Sequence, residues 1–290
     1  MCRVFLITGA SRGLGRAITV AALDAGHCVV ATARRPAQLD DLDGRYGDRL
    51  AAGLLDVTDY GAAVAAAQAA VDRFGRLDVV VNNAGYADLA SVEDMTIEAF
   101  RAQIDTNLIG VVNVTKAALP ILRAQSSGHI IQISSLGGRI ANAGLSAYQA
   151  AKFAVGGFSE ALAQEVAPLG IRVTVLEPGG MRTDWSGSSM TIPPVSEPYA
   201  PTVGALAALM QGGGVGAAGD PAKVAGVVLR VAEMSEPPLR LLLGTDAVTY
   251  AERAAQARAT ADAAWRALSL STDDEHATAA SLDPLGRGEQ

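Results

Sequence analysis

Cysteine, lysine and histidine are scarce in this chain of 290 residues, which has two cysteines, three lysines and three histidines. With only Cys2 and Cys28, the latter in a predicted buried strand, a disulfide framework is not expected and a reducing compartment fits. No group of His, Cys and Asp residues has zinc-binding spacing, so we expect no metal site. The chain also lacks a hydrophobic run of about 20 residues, which a membrane-spanning helix requires.

Positive charge is also limited, because the net charge is −7 and the basic residues are scattered. A nonspecific nucleic-acid surface is therefore not expected. The N-terminus runs directly into the first predicted strand and leaves no room for a signal peptide, so we predict a cytoplasmic protein that does not bind membranes. The absence of a G-x-S-x-G segment argues against a serine hydrolase. Half of the residues are hydrophobic, which is enough for a sizeable core.

Predicted strands and helices alternate along the chain, which favours an α/β fold. We predict a doubly wound Rossmann fold with a single parallel seven-stranded sheet and helices on both faces. The predicted strands lie near residues 3–8, 27–33, 50–56, 78–82, 128–134, 171–177 and 239–244. The predicted helices lie near residues 14–25, 36–43, 59–74, 97–124, 147–168, 221–234 and 246–268.

A glycine-rich turn follows the first predicted strand and leads into the first predicted helix. Residues 8–15 read T-G-A-S-R-G-L-G, with glycines at Gly9, Gly13 and Gly15. Glycines permit close approach of the backbone to a pyrophosphate, and a helix N-terminus supplies free N–H groups and partial positive charge. Three glycines alone are a weak signal, because an ordinary strand-to-helix turn also explains them.

Tyr148 and Lys152 are four residues apart in a predicted helix, so their side chains share one face. An ammonium beside a phenol is expected to lower the tyrosine pKa from its ordinary value of about 10. Such a tyrosine can exchange a proton with a carbonyl or alcohol oxygen, and the hydroxyl of Ser135 can hydrogen-bond the same oxygen. This set indicates interconversion of a ketone and a secondary alcohol. Ser134 is an alternative to Ser135, since successive strand residues face opposite ways.

Several segments together resemble the short-chain dehydrogenase/reductase family. They are the glycine turn at 8–15, the N-N-A-G run at 82–85, Asn107, the set of Ser135, Tyr148 and Lys152, and the P-G-x-x-x-T run at 178–183. These segments occur in the family's order and cover roughly residues 3–245. Residues 31–36 and 83–86 are similar to a branch related to 17β-hydroxysteroid dehydrogenases, which includes NADP-dependent reductases.

The resemblance implies a role for each of these residues. Tyr148 is the general acid in the reducing direction, Lys152 assists it and binds the nicotinamide ribose, and Ser135 holds the substrate oxygen. Asn107 is implied in a water-held proton relay to Lys152, whereas without the resemblance a helix kink or a surface polar residue would be the simpler explanation. The residues implied in coenzyme binding are Gly9, Ser11, Arg12, Gly13, Leu14, Gly15, Arg34, Asp56, Val57, Asn83, Ala84, Gly85, Tyr148, Lys152, Pro178, Gly179, Met181 and Thr183.

The end of the second predicted strand bears on the choice of coenzyme. An NAD-binding site usually has an acid there for the ribose 2′-hydroxyl, but this strand is followed by Arg34 and Arg35. Arginine matches the geometry of a phosphate, and Arg12 adds another guanidinium in the glycine turn. We therefore predict NADP(H), with Arg34 and Arg12 as ligands of the 2′-phosphate. The alternative is that Arg34 and Arg35 are solvated surface charges.

Residues 1–268 are predicted to form one domain, in which 184–219 is the substrate-binding loop, and 269–290 a polar, flexible tail. Candidate residues for an apolar substrate pocket, each of which could equally be ordinary packing, are Leu136, Trp185, Met190 and Tyr199. Small residues in the helix near 147–168 and the resemblance favour a homodimer or homotetramer, although packing on the protein's own sheet also explains them.

These features predict an NADPH-dependent oxidoreductase that interconverts a ketone and a secondary alcohol on a medium-sized, hydrophobic substrate, such as a steroid-like or polyketide-derived ketone. One alternative is an NADP(H)-binding sensor without turnover, which would be expected to have lost Tyr148 or Lys152. Another is a sugar-nucleotide epimerase or dehydratase, but the glycine spacing and the chain length disagree with that class.

Overall fold

The computed structural model of the protein describes residues 2–182, 190–211 and 217–285. Seven parallel strands form one sheet in the order β3-β2-β1-β4-β5-β6-β7. The strands are β1 (Val4–Ile7), β2 (Cys28–Ala33), β3 (Leu50–Leu54), β4 (Val79–Asn82), β5 (Gly128–Ile133), β6 (Ile171–Pro178) and β7 (Arg240–Leu243). The predicted Rossmann architecture is confirmed, and each predicted strand differs from the observed one by at most about two residues at either end.

The helices occur between the strands, as the alternating pattern predicted. Within the described residues they are α1 (Gly13–Asp24), α2 (Asp40–Tyr46), α3 (Tyr60–Phe74), α4 (Ile97–Ile104), α5 (Gly110–Ala124), α6 (Ser146–Val166), α7 (Ala205–Gln211), α8 (Pro221–Glu233), α9 (Thr245–Leu270) and α10 (Ala279–Leu282). Side chains fix several helix starts, because Asp59, Thr96 and Asp220 accept hydrogen bonds from the first turns of α3, α4 and α8.

Two hydrophobic clusters cover the two faces of the sheet. Alternate residues of β1 divide between them, since Phe5 and Ile7 pack with α1 and α8, whereas Val4 and Leu6 pack with α3, α5 and α6. Every residue of β1 is buried. This explains why the strand is a continuous apolar run and not an alternating one.

The predicted long helix at 97–124 is interrupted at Asp105–Ile109, where a π-helical turn separates α4 from α5. Asn107 lies at the centre of this turn and is fully buried. A π-turn rotates the following residues relative to an unbroken helix and is often found at functional sites. The low helix propensity of Asn107 thus has a structural reason.

The chain divides into two compact units, Met1–Tyr250 and Ala251–Gln290. The first contains the whole sheet, and the assignment of 1–268 to one domain stays a prediction. In the region expected to be a polar tail, the short helix α10 begins with a capping box in which Thr278 and Ser281 exchange hydrogen bonds. Among the described residues, no helix has the length and apolar character needed to cross a bilayer.

Candidate active site

A crevice of about 460 Å³ lies at the carboxyl ends of the central strands. It is lined by residues that follow β1, β2, β4, β5 and β6, including the point between β1 and β4 where the strand order reverses. Doubly wound sheets bind their ligands at this point. All predicted site residues line the crevice except Thr183, which lies outside the described residues.

Residues after β1 form a tight turn that a side chain at Gly15 would disrupt. A Cβ atom at Gly15 would lie 2.3 Å from the carbonyl oxygen of Gly9 and 2.4 Å from Nδ2 of Asn83. Asn83 stabilises the turn, because its Nδ2 donates to the carbonyl oxygens of Thr8 at 2.9 Å and Gly9 at 3.2 Å. Gly15 is therefore needed for the close packing of helix, turn and strand end.

The N-terminus of α1 faces the same crevice. Its N-cap residue Arg12 makes no side-chain capping hydrogen bond, and its first turn contains no acidic residue. The first N–H groups of a helix lack intrahelical acceptors, so they favour an anionic group together with the helix dipole. The turn and the helix end consequently fit a pyrophosphate.

Arg34 and Arg35 follow β2 at the rim of the crevice, and both are exposed. Within the described ranges, neither forms an ion pair with an acidic side chain. Hydrogen bonds from the backbone N–H and the hydroxyl of Thr58 lower the pKa of Asp56, and the charge of Arg34 adds to this effect. An available guanidinium and a stable carboxylate therefore line the crevice after the adjacent strands β2 and β3.

Tyr148 and Ser135 meet at the inner end of the crevice. Tyr148 is 7% exposed, and burial raises its pKa to about 12, although a hydrogen bond from Ser135 acts in the opposite direction. The sequence-based expectation of a lowered pKa is wrong. That expectation considered the charge of Lys152 only, whereas desolvation of the phenolate is the larger effect. Tyr148 is therefore protonated at neutral pH.

Lys152 is buried one helical turn after Tyr148, as the spacing predicted. Its Nζ donates to the carbonyl oxygen of Ile133 at 2.8 Å and lies 5.7 Å from the centre of the Tyr148 ring. Burial lowers the pKa of Lys152 to about 8. Removing an ammonium from water disfavours its charged form, and within the described residues no carboxylate compensates for this effect.

Ser134 and Ser135 have different partners. The Oγ of Ser134 donates to the carbonyl oxygen of Lys152 at 3.4 Å, whereas the Oγ of Ser135 accepts from the N–H of Gly137 at 2.9 Å and bonds Tyr148. The hydroxyl that lies beside Tyr148 is thus that of Ser135. The prediction of Ser135 over Ser134 agrees with this geometry.

Asn107 holds the N-N-A-G segment next to Lys152. Its Nδ2 donates to the carbonyl oxygens of Gln103 and Tyr86, both at 2.9 Å, and its Oδ1 accepts from the N–H of Tyr86 at 3.2 Å. A Cβ at Gly85 would lie 2.5 Å from Oδ1 of Asn107 and 3.7 Å from Nζ of Lys152. Both side-chain N–H donors of Asn107 are thus engaged, so its side chain positions the backbone between β4 and the site.

A buried ionic network that adjoins the site was not predicted from the sequence. Glu177 is fully buried in β6 and accepts bidentate hydrogen bonds from Arg139, with N–O distances of 2.8 to 3.1 Å. Arg240 of β7 also bonds Glu177 and donates to Glu160 of α6 at 2.6 Å. The network links the segment after Ser135, the strand end before Pro178 and the helix that carries Tyr148. An acid near the end of strand β6, directly before Pro178, was the available signal.

Apolar side chains border the crevice near Tyr148, namely Leu136, Ile140, Leu145 and Met210. Two of the candidate pocket residues, Met190 and Tyr199, are not among the crevice lining, and they pack against a cluster that includes Leu89, Tyr148 and Val203. This agrees with the alternative of ordinary packing. Tyr199 also donates to Glu93 at 2.6 Å. Trp185 lies outside the described residues.

Among the residues that the structure describes, no group of three His, Cys, Asp or Glu side chains could hold a metal ion. His129 lies in β5, as a strand residue and outside the crevice lining. Burial lowers its pKa to about 3, and its Nε2 shares a hydrogen bond with Thr174. His129 is therefore neutral and structural.

The chain matches the model of the family described as short chain dehydrogenase over residues 3–191. It is 56% identical to Oxidoreductase BOA17 of Botryotinia fuckeliana (strain B05.10) over 94% of this chain and 100% of that protein. A short-chain dehydrogenase from Streptomyces avermitilis is 40% identical, with a TM-score of 0.88 and coverage of 94% of this chain and 100% of that one. The closed form of a serine dehydrogenase complexed with NADP⁺ is 30% identical, with a TM-score of 0.72 and coverage of 83% and 94%.

Proposed function

This chain belongs to the short-chain dehydrogenase family of oxidoreductases, and on that premise we propose that it interconverts a ketone and a secondary alcohol with NADPH as coenzyme. The observation that carries this proposal is the set of buried Tyr148, buried Lys152 and half-buried Ser135, which lines the same crevice as the helix N-terminus. One end of the crevice suits proton transfer, and the other suits a pyrophosphate.

The proposed roles follow from the protonation states. Tyr148 is protonated at neutral pH, so it can donate its proton to a carbonyl oxygen that also accepts a hydrogen bond from Ser135. The coenzyme, when bound, supplies the hydride that reduces the carbonyl carbon. Lys152 is mostly charged below pH 8, and its ammonium favours the phenolate that forms on Tyr148. In oxidation the same proton moves back from the alcohol to Tyr148.

The remaining predicted residues are assigned to positioning. Asn107 holds the segment that contains Gly85, and the predicted water-held relay would use an acceptor of Asn107, because both of its side-chain donors are engaged. Asn83, Ala84, Pro178, Gly179 and Met181 border the crevice where the nicotinamide half of the coenzyme would bind. This assignment rests on their place at the strand ends and on the family likeness.

A medium-sized, hydrophobic ketone is the proposed substrate, because apolar side chains border the crevice near Tyr148. The likeness to 17β-hydroxysteroid dehydrogenases stays a prediction.

The test is NADPH oxidation against a panel of aliphatic, steroid-like and polyketide-like ketones, with NADH in parallel. Turnover supports a reductase, and tight NADPH binding without turnover across the panel would favour the sensor alternative.

We expect Arg34→Ala to raise the KM for NADPH by roughly 10- to 100-fold and to leave the KM for NADH nearly unchanged. Loss of a charge-assisted hydrogen bond to the 2′-phosphate has this effect only on the coenzyme that carries the phosphate. Initial rates with each coenzyme measure the two values. Arg35→Ala is the matched control, with a smaller expected effect. An equal rise for both coenzymes in Arg34→Ala would contradict recognition of the 2′-phosphate.

A cytoplasmic homodimer or homotetramer is part of the same proposal. In α6, Gly157 is exposed and a Cβ there would meet no atom within 4 Å, so this position leaves room for a partner helix. Gly156 instead packs on Arg240 of the same chain, with a Cβ position 3.0 Å from its Nη2. We expect light scattering at micromolar concentration to give a multiple of the chain mass. A single species with the mass of one chain would contradict the proposed assembly.

A further inference from the structure

Gln149 lies beside the proposed catalytic residues but has no role in the reaction described above. It follows Tyr148 in α6, is 4% exposed and lines the crevice. Buried glutamine side chains are uncommon unless their polar atoms are bonded. Its position thus raises the question of what its amide group binds.

The orientation of the Gln149 amide is fixed by one hydrogen bond. Its Oε1 accepts from the backbone N–H of Asn142 at 2.8 Å, and a backbone N–H can only donate. The oxygen must therefore face Asn142, and the NH₂ group points elsewhere. Within the described residues, Nε2 has no hydrogen-bond acceptor, and it is not one of the fully enclosed polar atoms without a partner. Nε2 is thus a donor with access to the crevice.

The side chain that carries this donor lies close to the place where a substrate carbonyl would bind. The position of a Cβ at Gly137 is 3.3 Å from Cγ of Gln149, 3.3 Å from Oγ of Ser135 and 3.3 Å from Cε1 of Tyr148. Gln149 Cγ and Ser135 Oγ are consequently within twice that distance of each other. A carbonyl oxygen held by Ser135 and Tyr148 would bring the next few substrate atoms within reach of Nε2.

We propose that Gln149 is a specificity-determining residue that donates a hydrogen bond from Nε2 to a second oxygen of the substrate. The substrate class is a β-oxygenated ketone, such as a 3-oxo ester or a 1,3-diketone, in which that oxygen is bound to the carbon two positions from the reacting carbonyl carbon. This inference rests on the proposed ketone reduction. A substrate without the second oxygen would cover the donor and leave it unpaired. Its kcat/KM is then lower than that of a substrate that has this oxygen.

The test compares ethyl 3-oxobutanoate with 2-heptanone, which has the same number of chain atoms but no second oxygen. The measured quantity is the ratio of the two kcat/KM values, because the oxo ester is intrinsically the more reactive ketone. Gln149→Glu keeps an acceptor for Asn142 and replaces the NH₂ donor with an oxygen. We expect this variant to lower the ratio by about 10- to 100-fold. Gln164→Glu is the matched control, since Gln164 is exposed in the same helix, and we expect no change in its ratio.

The outcomes separate this inference from the proposed function. An unchanged ratio in Gln149→Glu, with turnover of both ketones by the unmodified protein, would overturn the role of Gln149 and leave ketone reduction intact. If neither ketone is turned over, the wider ketone panel tests the proposed function, and calorimetric titration of the NADP⁺-loaded protein with the oxo ester tests the donor role of Gln149. Weaker binding of the oxo ester to Gln149→Glu than to the unmodified protein would still support the donor, whereas equal binding would overturn it.

Discussion

Tyr148→Phe is expected to lower kcat for ketone reduction by roughly a thousand-fold and to leave the affinity for NADPH nearly unchanged. The substitution removes the proton donor, and a positioned general acid contributes about 10²- to 10⁴-fold to a rate. Because the phenol has a pKa of about 12, it is protonated over the working range and can act as the proton donor. Initial rates of NADPH oxidation and fluorescence titration with NADPH measure the two effects.

Tyr60→Phe is the matched control, because Tyr60 is 43% exposed at the start of α3 and lies outside the crevice lining. We expect this variant to keep the activity of the unmodified protein. Should Tyr148→Phe retain more than about a tenth of kcat, a role for Tyr148 as the general acid would be wrong. Loss of NADPH affinity together with activity would instead indicate that Tyr148 supports the coenzyme site.

Lys152→Met is expected to change activity and stability in opposite directions. Activity falls by about 10²-fold or more, because the phenolate formed on Tyr148 loses its neighbouring ammonium. Stability rises, since the folded protein no longer buries an ammonium whose pKa has fallen from 10.5 to about 8. We estimate a gain of about 2 kcal/mol in unfolding free energy near pH 7, after allowing for the lost hydrogen bond to Ile133. Urea denaturation of both proteins measures this difference.

The pH dependence checks the cause of that stabilisation. In the unmodified protein, Lys152 is protonated below pH 8 in both the folded and the unfolded state. Folding then carries the full free-energy cost of burying the ammonium. Between about pH 8 and 10.5 the folded protein loses this proton before the unfolded chain does, and the cost decreases. The advantage of Lys152→Met should therefore be largest below pH 8, decrease as the pH rises, and be lost before pH 10.5, because the variant still lacks the hydrogen bond to Ile133. A constant advantage across this range would indicate a packing effect.

The alternation of apolar runs and helical patterns was enough to predict every strand and the order of the site segments. β1 illustrates the reason, because both of its faces are buried and its sequence is continuously apolar. The separation of Tyr148 and Lys152 also predicted their shared helix face correctly. Such features depend on residues that are close in sequence or on the regular alternation of strands and helices.

Properties that depend on distant neighbours were not predicted. The direction of the Tyr148 pKa was wrong, because the extent of burial is set by segments far away in sequence. The pairing of Glu177 with Arg139 and Arg240 joins residues up to 63 positions apart, and no local pattern identifies such partners. Gln149 was also missed, since its importance arises from a backbone N–H at Asn142 that fixes its amide.

The strand order has a consequence for how activity returns after denaturation. β1 pairs with β4 across more than 70 residues, and Ser135 and Tyr148 depend on β5 and α6, which assemble against β4 and β6. Parallel pairings of this kind close long loops, so they form slowly compared with isolated helices. Helical content should therefore recover early during refolding, while NADPH turnover reappears only after the central strands have joined. The time course of recovered activity should therefore report when the last strands of the sheet assemble.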